Sequence, residues 1–297
     1  MYILHIDSGR EMRGGQWQAL YLMRGLASAG HRVRLLAPED SPLLKAALAE
    51  GIDAVALGVS RLAGAAGDAD LVHAHDARAH TLAVISKKPV VISRRVAFPV
   101  RRSVASRWKY RRAAHYIAVS RCVKQTLVDA GIPRDRISVI YDGVPVSPLG
   151  SDERSLVVAL DSDDPAKGKK TMEEASRLAG VPIHFSRNLI QDLPRAAAFV
   201  YITELEGLGS AALLAMAAGA AVLASRVGGL PEIVDDGVTG LLTTNEPQAI
   251  AQGMRRLLDD RLLRERLAAA ARARVLGEFR VERMVSETAR VYERMLG

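Results

Sequence analysis

Short apolar runs and helix-length amphipathic stretches alternate along the chain. Residues 2–6, 32–36 and 54–57 carry the near-continuous apolar character of strands buried on both faces. Between them, residues 16–29 and 41–50 repeat apolar positions at helical spacing. The rhythm continues through strand-like runs at 70–75, 90–93, 116–119 and 138–141, with a helix predicted over 120–130 and closed by Gly131. Strands that alternate with helices predict a parallel sheet covered on both faces.

Residues 142–154 break the rhythm with glycine and proline and read as a linker. A second, smaller set follows, with strands at 156–160, 182–185, 199–202 and 221–224 and helices at 170–179, 211–218 and 249–259. Val281, Met284, Val285, Thr288, Val291, Tyr292 and Met295 then fall on one face of a terminal helix. The predicted class is α/β, with two Rossmann-like doubly wound domains facing across a cleft. They are residues 1–148, residues 149–280, and a helix over 281–297 placed to cross back to the first domain. Open α/β sheets bind ligands beyond the carboxyl ends of their strands, so function is sought there.

Composition narrows the class. The 297 residues are 49 % apolar and 25 % charged, the balance of a soluble globular protein rather than a disordered or fibrous one. A single cysteine, Cys122, excludes an internal disulfide and a cysteine-built metal site, and it suits a reducing cytoplasm. The opening MYILHI runs straight into a strand, so no signal peptide is expected. No run reaches the roughly 18 uninterrupted apolar residues of a membrane span. The net charge of +8 is unevenly spread: residues 1–150 hold 22 Lys and Arg against 12 Asp and Glu, and residues 151–297 hold 19 against 21. A one-sided basic field suits an anionic partner: a nucleic acid, a membrane surface or a phosphorylated small molecule.

Four segments carry candidate chemistry. The turn after the first strand contains Gly14 and Gly15 just before a helix, where backbone can approach a ligand and free N–H groups face a phosphate; a glycine pair there is also ordinary turn chemistry. In Leu71-Val-His-Ala-His75 the strand period puts His73 and His75 on one face, either as a hydrogen-bonded core pair or with His75 facing a ligand. No third ligand stands at metal-binding spacing, so no metal is expected. Residues 94–112 hold eight basic residues and no acid, among them Arg94, Arg95, Arg101, Arg102 and Arg107, interleaved with Phe98, Trp108 and Tyr110. That is a solvated basic face or a surface for anionic lipid; no nucleic-acid recognition motif accompanies it. Finally, the segment Glu206-Gly-Leu-Gly209 follows a strand and opens a helix, bringing one carboxylate and backbone N–H groups together in a geometry suited to sugar and phosphate.

With these residues in view, the chain resembles the family-4 retaining glycosyltransferases of the GT-B fold over nearly its whole length. The resemblance rests on Glu206-Gly-Leu-Gly with Ala-Met-Ala-Ala-Gly219 and Ser225-x-x-Gly-Gly229-x-Pro-Glu232, on Arg13-Gly-Gly-Gln-Trp-Gln-Ala-Leu20 with Gly30-His31-x-Val, and on Val119-Ser120 with Val139-Ile140-Tyr-Asp-Gly143-Val144. It implies an acceptor-holding first domain and a second domain that binds a nucleoside diphosphate sugar as donor substrate, with no further cofactor and no metal. By the family pattern His75 lies beside the transferred sugar and Glu206 binds its hydroxyls, both at the reacting centre. Gly14 and Gly15 approach the diphosphate, Lys167 neutralises it, and the N–H groups of Gly207, Leu208 and Gly209 complete the donor pocket. The acceptor is expected to be anionic or lipid-linked, and the protein cytoplasmic or peripheral at the inner face of the membrane.

Three features depart from that pattern. Leu214 stands eight positions after Glu206, where the family has a second glutamate on the donor ribose. Ser162 stands where an arginine is usual, with Asp161, Asp163 and Asp164 around it, so repulsion of the diphosphate is expected unless the loop turns away. One strand, 182–185, lies where the family has two. Leu214 and the acidic 161–164 loop motivate an alternative reading, a GT-B relic that binds an anionic ligand or a protein partner without chemistry. A nicotinamide-dependent dehydrogenase ranks below both, because the first turn lacks GxGxxG and Leu36-Ala-Pro ends the second strand where an acid would be needed.

Overall fold

The computed structural model describes residues 1–100, 103–146 and 154–297. They form two compact units, Met1–Gly143 with Val281–Gly297, and Val144–Arg280.

The first unit alternates strands and helices: β1 (Tyr2–Ile6), α1 (Gly14–Ser28), β2 (Arg32–Ala37), α2 (Pro42–Ala49), β3 (Asp53–Ala56) and α3 (Val59–Asp68). It continues through β4 (Leu71–Ala74), α4 (Ala77–Ala83), β5 (Val90–Arg94), α5 (Val104–Arg112), β6 (His115–Ala118), α6 (Arg121–Asp129) and β7 (Ile137–Val139). All seven strands are parallel, in the order β3-β2-β1-β4-β5-β6-β7. Every residue of β1, β4 and β6 is buried, which explains why these strands read as continuous apolar runs rather than alternating ones. Ser41 and Ser120 start α2 and α6 by accepting the N–H groups of Leu44 (3.2 Å) and Val123 (3.1 Å).

Helix α1 begins at Gly14, not at the expected Gln16. The Gln16 side chain accepts the Arg13 N–H at 3.3 Å and donates to both oxygens of the buried Asp7 at 3.2 Å, so the glycine pair is drawn into the first helical turn.

The second unit holds β8 (Leu156–Leu160), α7 (Lys169–Ala179), β9 (Ile183–Ser186), α8 (Leu189–Asp192), β10 (Ala196–Tyr201) and α9 (Ser210–Ala217). After these come β11 (Ala221–Ser225), α10 (Leu230–Ile233), β12 (Leu241–Thr243), α11 (Pro247–Asp259) and α12 (Arg261–Glu278). Its five parallel strands run β12-β11-β10-β8-β9. The α/β class and parallel sheets are as the sequence predicts, and β9 is the single strand between α7 and β10.

The chain ends in α13 (Val281–Leu296), which packs within the first unit. Its Met284, Val285, Val291 and Tyr292 join the core of Leu20, Leu22 and Leu26. Burial of each such side chain contributes about 1.5–3 kcal/mol. Close approach depends on Gly25 of α1, where a Cβ would overlap the Val285 side chain.

Candidate active site

In a doubly wound sheet the ligand crevice opens where strand order reverses, because connections there leave in opposite directions. In the second unit that point lies between β8 and β10. The segment after β8 brings Lys167, and the segment after β10 brings Glu206. Lys167 closes a short turn, Pro165–Lys167, started by Asp164, whose side chain accepts the Ala166 N–H at 3.0 Å. The Ala166 carbonyl in turn accepts Glu204 N–H (2.9 Å) and the Thr203 hydroxyl (3.0 Å), which docks the lysine turn on the β10 exit.

The result is a triangle of polar groups. Lys167 Nζ donates to Glu206 Oε2 at 2.7 Å and lies 3.2 Å from the Tyr201 hydroxyl, which donates to the same Oε2 at 2.6 Å. Glu206 Oε1 accepts the Gly207 N–H at 3.1 Å. Both charged side chains remain open to solvent, at 24 % and 15 %, so the pair is reachable by a ligand. Behind it runs the 228–229 turn. Gly228 is in the left-handed region (φ 55°), and a Cβ on either glycine would strike the backbone of the 206–208 loop; Gly229 N–H also holds the Glu206 carbonyl at 3.2 Å.

Gly209 precedes α9 with φ 106°. The Leu208 side chain is buried, so of this residue only the main chain faces a ligand. Motif spacing does not single out Tyr201; its only sequence signal is its place at the end of β10, five residues before Glu206.

The acidic repulsion expected beside Lys167 from Asp161, Asp163 and Asp164 is relieved at Asp161, while Asp164 is turned to the Ala166 N–H. Asp161 accepts Lys169 Nζ at 2.6 Å and Arg187 Nε at 2.7 Å, and these bonds, Lys169 first, hold its carboxyl below the usual range. Two cations that sequence spacing did not connect to Asp161 neutralise it.

The first unit's reversal lies between β1 and β4. Here the parallel register sets His5 beside His73. His5 is the third histidine that spacing did not reveal, and one ligand atom from each of His5, His73 and His75 lies within 4.8 Å of the others. The expectation that no third metal ligand stands near is thereby corrected, because partners on a neighbouring strand are invisible to linear spacing.

The hydrogen-bond polarity nevertheless fits poorly with a metal. Arg95 NH1 lies 3.4 Å from His75 Nδ1, and a guanidinium can only donate, so His75 carries its proton on Nε2. That proton goes to His5 Nδ1 at 2.9 Å, which leaves the His5 proton on Nε2, without a partner among the described residues. His73 is engaged on both nitrogens, by Tyr292 at 2.6 Å and Ser93 at 2.8 Å. Burial, with Arg95 adding to it, pushes His5 down to about 3 and also keeps His73 and His75 uncharged.

Arg95 belongs by sequence to the basic run at 94–112, but the fold turns it inward. It is 12 % exposed, 3.3 Å from Asp142, and its Cδ lies 3.6 Å from where a Gly15 Cβ would sit. It therefore belongs with His75 and the start of α1. Arg94 is half-buried and donates to the Phe98 carbonyl at 2.6 Å. Arg107 and Trp108 are exposed on α5, which buries none of its side chains. Arg101 and Arg102 lie outside the described residues. Among the described residues no helix is long and apolar enough to cross a membrane.

The two parallel α/β units, of seven and five strands, have the architecture of the GT-B glycosyltransferase fold, as comparison with solved structures shows. Residues 12–147 match the family described as Glycosyltransferase Family 4, and residues 151–274 match Glycosyl transferases group 1. The chain belongs to the family-4-like glycosyltransferases. Among solved structures, the Anabaena protein HepE in complex with UDP and glucose superposes with a TM-score of 0.87 at 19 % identity over 99 % of both chains. Sucrose-phosphate synthase from Thermosynechococcus elongatus gives 0.77 at 16 % over 99 % of both. At such identities the likeness establishes the fold. Glycogen synthase of Mycobacterium tuberculosis is 35 % identical over 125 residues, 42 % of this chain, and the match spans 30 % of that protein's length. D-inositol 3-phosphate glycosyltransferase of Streptomyces griseus is 30 % identical over 190 residues, 54 % of this chain and 40 % of its own.

Proposed function

We propose that the protein transfers a sugar from a nucleoside diphosphate sugar to an anionic or lipid-linked acceptor with retention of configuration. The observation that carries this is the solvent-reachable contact of Lys167 and Glu206, 2.7 Å apart at the strand-order reversal of the second unit. An ammonium group and fixed N–H dipoles stabilise the charge that develops on a departing diphosphate, and a carboxylate binds sugar hydroxyls. In this reading no metal is needed. The departing phosphate oxygen takes the proton of the incoming acceptor hydroxyl on the same face, while the acceptor oxygen bonds the anomeric carbon and the bond to the diphosphate breaks. Positioning supplies the rest of the acceleration.

In the first unit, His75, Gly14 and Gly15 are the groups that meet substrate in this reading, with Arg95 holding the His75 ring. UDP in the HepE structure and the phosphorylated acceptor in the name of the Streptomyces griseus relative support the donor and acceptor classes. Exposed Phe98, Val104 and Trp108 beside Arg107 and Arg111 support a peripheral site on anionic lipid at the inner face of the membrane. Reversing the charge of Arg107 and Arg111 abolishes binding to phosphatidylglycerol vesicles in this reading, and unchanged binding contradicts it.

The activity is tested by incubating the protein with UDP-, GDP- and ADP-linked sugars and membrane extract and measuring released nucleoside diphosphate. Release from at least one donor is expected. Binding without release in every arm would assign a binding role instead.

A further inference from the structure

The polarity of the Lys167–Tyr201–Glu206 triangle raises the question of what holds the carboxylate once a donor is bound. This inference rests on the donor reading above. Tyr201 is the last residue of β10 and is almost wholly buried, so its ring cannot follow a ligand. Burial, reinforced by the neighbouring Glu206, raises its phenol well above the ordinary value, and the hydroxyl keeps its proton. An ammonium only donates and a carboxylate only accepts, so the phenol accepts from Lys167 at 3.2 Å and gives its single proton to Glu206 Oε2 at 2.6 Å.

Glu206 Oε2 therefore has two donors, Lys167 and Tyr201, and Oε1 has a third, Gly207 N–H. A diphosphate carries more charge than a carboxylate already served by other donors, and it draws the ammonium away. Once Lys167 has left, the incoming phosphates repel the carboxylate, which would swing away from the donor unless other groups held it. The tyrosine proton and the Gly207 N–H remain on opposite oxygens and fix the plane of the group.

We propose that Tyr201 is a positioning residue: it holds the Glu206 carboxylate toward the sugar hydroxyls after Lys167 has exchanged that carboxylate for the donor diphosphate. The Lys167–Glu206 pair is then the resting partner arrangement of the empty site, and Tyr201 is the fixed point through the exchange.

The test separates diphosphate affinity from sugar affinity. Dissociation constants for UDP and UDP-glucose are measured by calorimetry on the wild type, Tyr201→Phe, Glu206→Gln and the double variant, with thermal midpoints recorded for each. Tyr201→Phe removes one hydroxyl and keeps the ring. It should leave UDP affinity within about twofold and weaken UDP-glucose about tenfold, the loss of one hydrogen bond to a charged group. In the Glu206→Gln background the added Tyr201→Phe change should alter UDP-glucose affinity by less than about twofold, because the carboxylate it positions is gone. Equal weakening of both ligands, or no weakening of either, overturns the proposal. A wild type that binds neither these nor the corresponding GDP- and ADP-linked ligands overturns the donor reading on which it stands.

Discussion

The two units share one plan, a parallel sheet with side chains gathered where strand order reverses, yet they bury opposite kinds of chemistry there. In the first, His5 and His73 are sealed from solvent, His75 keeps a small exposed edge, all three stay neutral, and the charge beside them belongs to Arg95 and Asp142. In the second, Lys167 and Glu206 face each other, partly open to solvent. Full burial favours neutral groups linked by directed hydrogen bonds, whereas partial exposure lets opposite charges persist and be recruited by a ligand. The contrast extends to the whole histidine set: five of the seven, His5, His73, His75, His80 and His115, are buried in the first unit with lowered pKa values, and the second has only the exposed His184.

Acid therefore separates the units, and this is the largest effect expected. The native pKa values of these histidines lie below the unfolded 6.5, so on acidification the unfolded chain takes up protons first. Stability is unaffected above pH 6.5 and falls below it, toward native values of about 3 for His5 and His80 and about 4 for His115. Each group removes about 1.4 kcal/mol per pH unit in that window, so the first unit loses several kcal/mol by about pH 5.5. Asp7, whose carboxyl burial raises, opposes this with one group against five. In the second unit Asp161, Asp192 and Asp236 have lowered pKa values; their stabilising effect is present above 3.8 and is lost only below it. Both tryptophans, Trp17 and Trp108, lie in the first unit. The thermal midpoint read by their fluorescence should fall between pH 6.5 and 5 while amide protection in β8, β10 and β11 persists. A flat tryptophan midpoint across that range contradicts the assignment.

A smaller effect sharpens the comparison at the α1–α13 contact. Gly25→Ala forces Val285 aside and should cost about 1–3 kcal/mol, read as a lower midpoint at the tryptophans with UDP affinity unchanged. Smaller still, Tyr292→Phe leaves His73 Nδ1 without its 2.6 Å partner and should cost about 1 kcal/mol in denaturant titration. No change in that titration would mean the bond adds nothing to stability.

The fold was largely legible because buried parallel strands write themselves as apolar runs. Tyr2–Ile6 and Leu156–Leu160 were read without error, and β10 was read three residues late because Ala196-Ala-Ala has no strand preference of its own. Helix α12 was overlooked although Leu263, Leu267, Ala271 and Val275 repeat every four residues, and β12, three residues long, is too short to show a period. At the site, Lys167 and Glu206 were legible from motif and resemblance. Tyr201, His5 and the Asp161 counter-charges were not, because each acquires its meaning from a neighbour on another strand or loop. Arg95 was misgrouped for the same reason: in sequence it sits in a basic run, and in the fold it turns inward to Asp142.

The account stands most directly on Lys167 as the group that meets the donor diphosphate. Calorimetric titration of UDP into the wild type and Lys167→Ala measures this alone, without an acceptor or turnover. Saturable binding to the wild type, weakened at least about tenfold in the variant by loss of a charge-assisted contact, is the predicted result. Equal affinity in the two proteins, or no binding of UDP, GDP or ADP to the wild type, would contradict it.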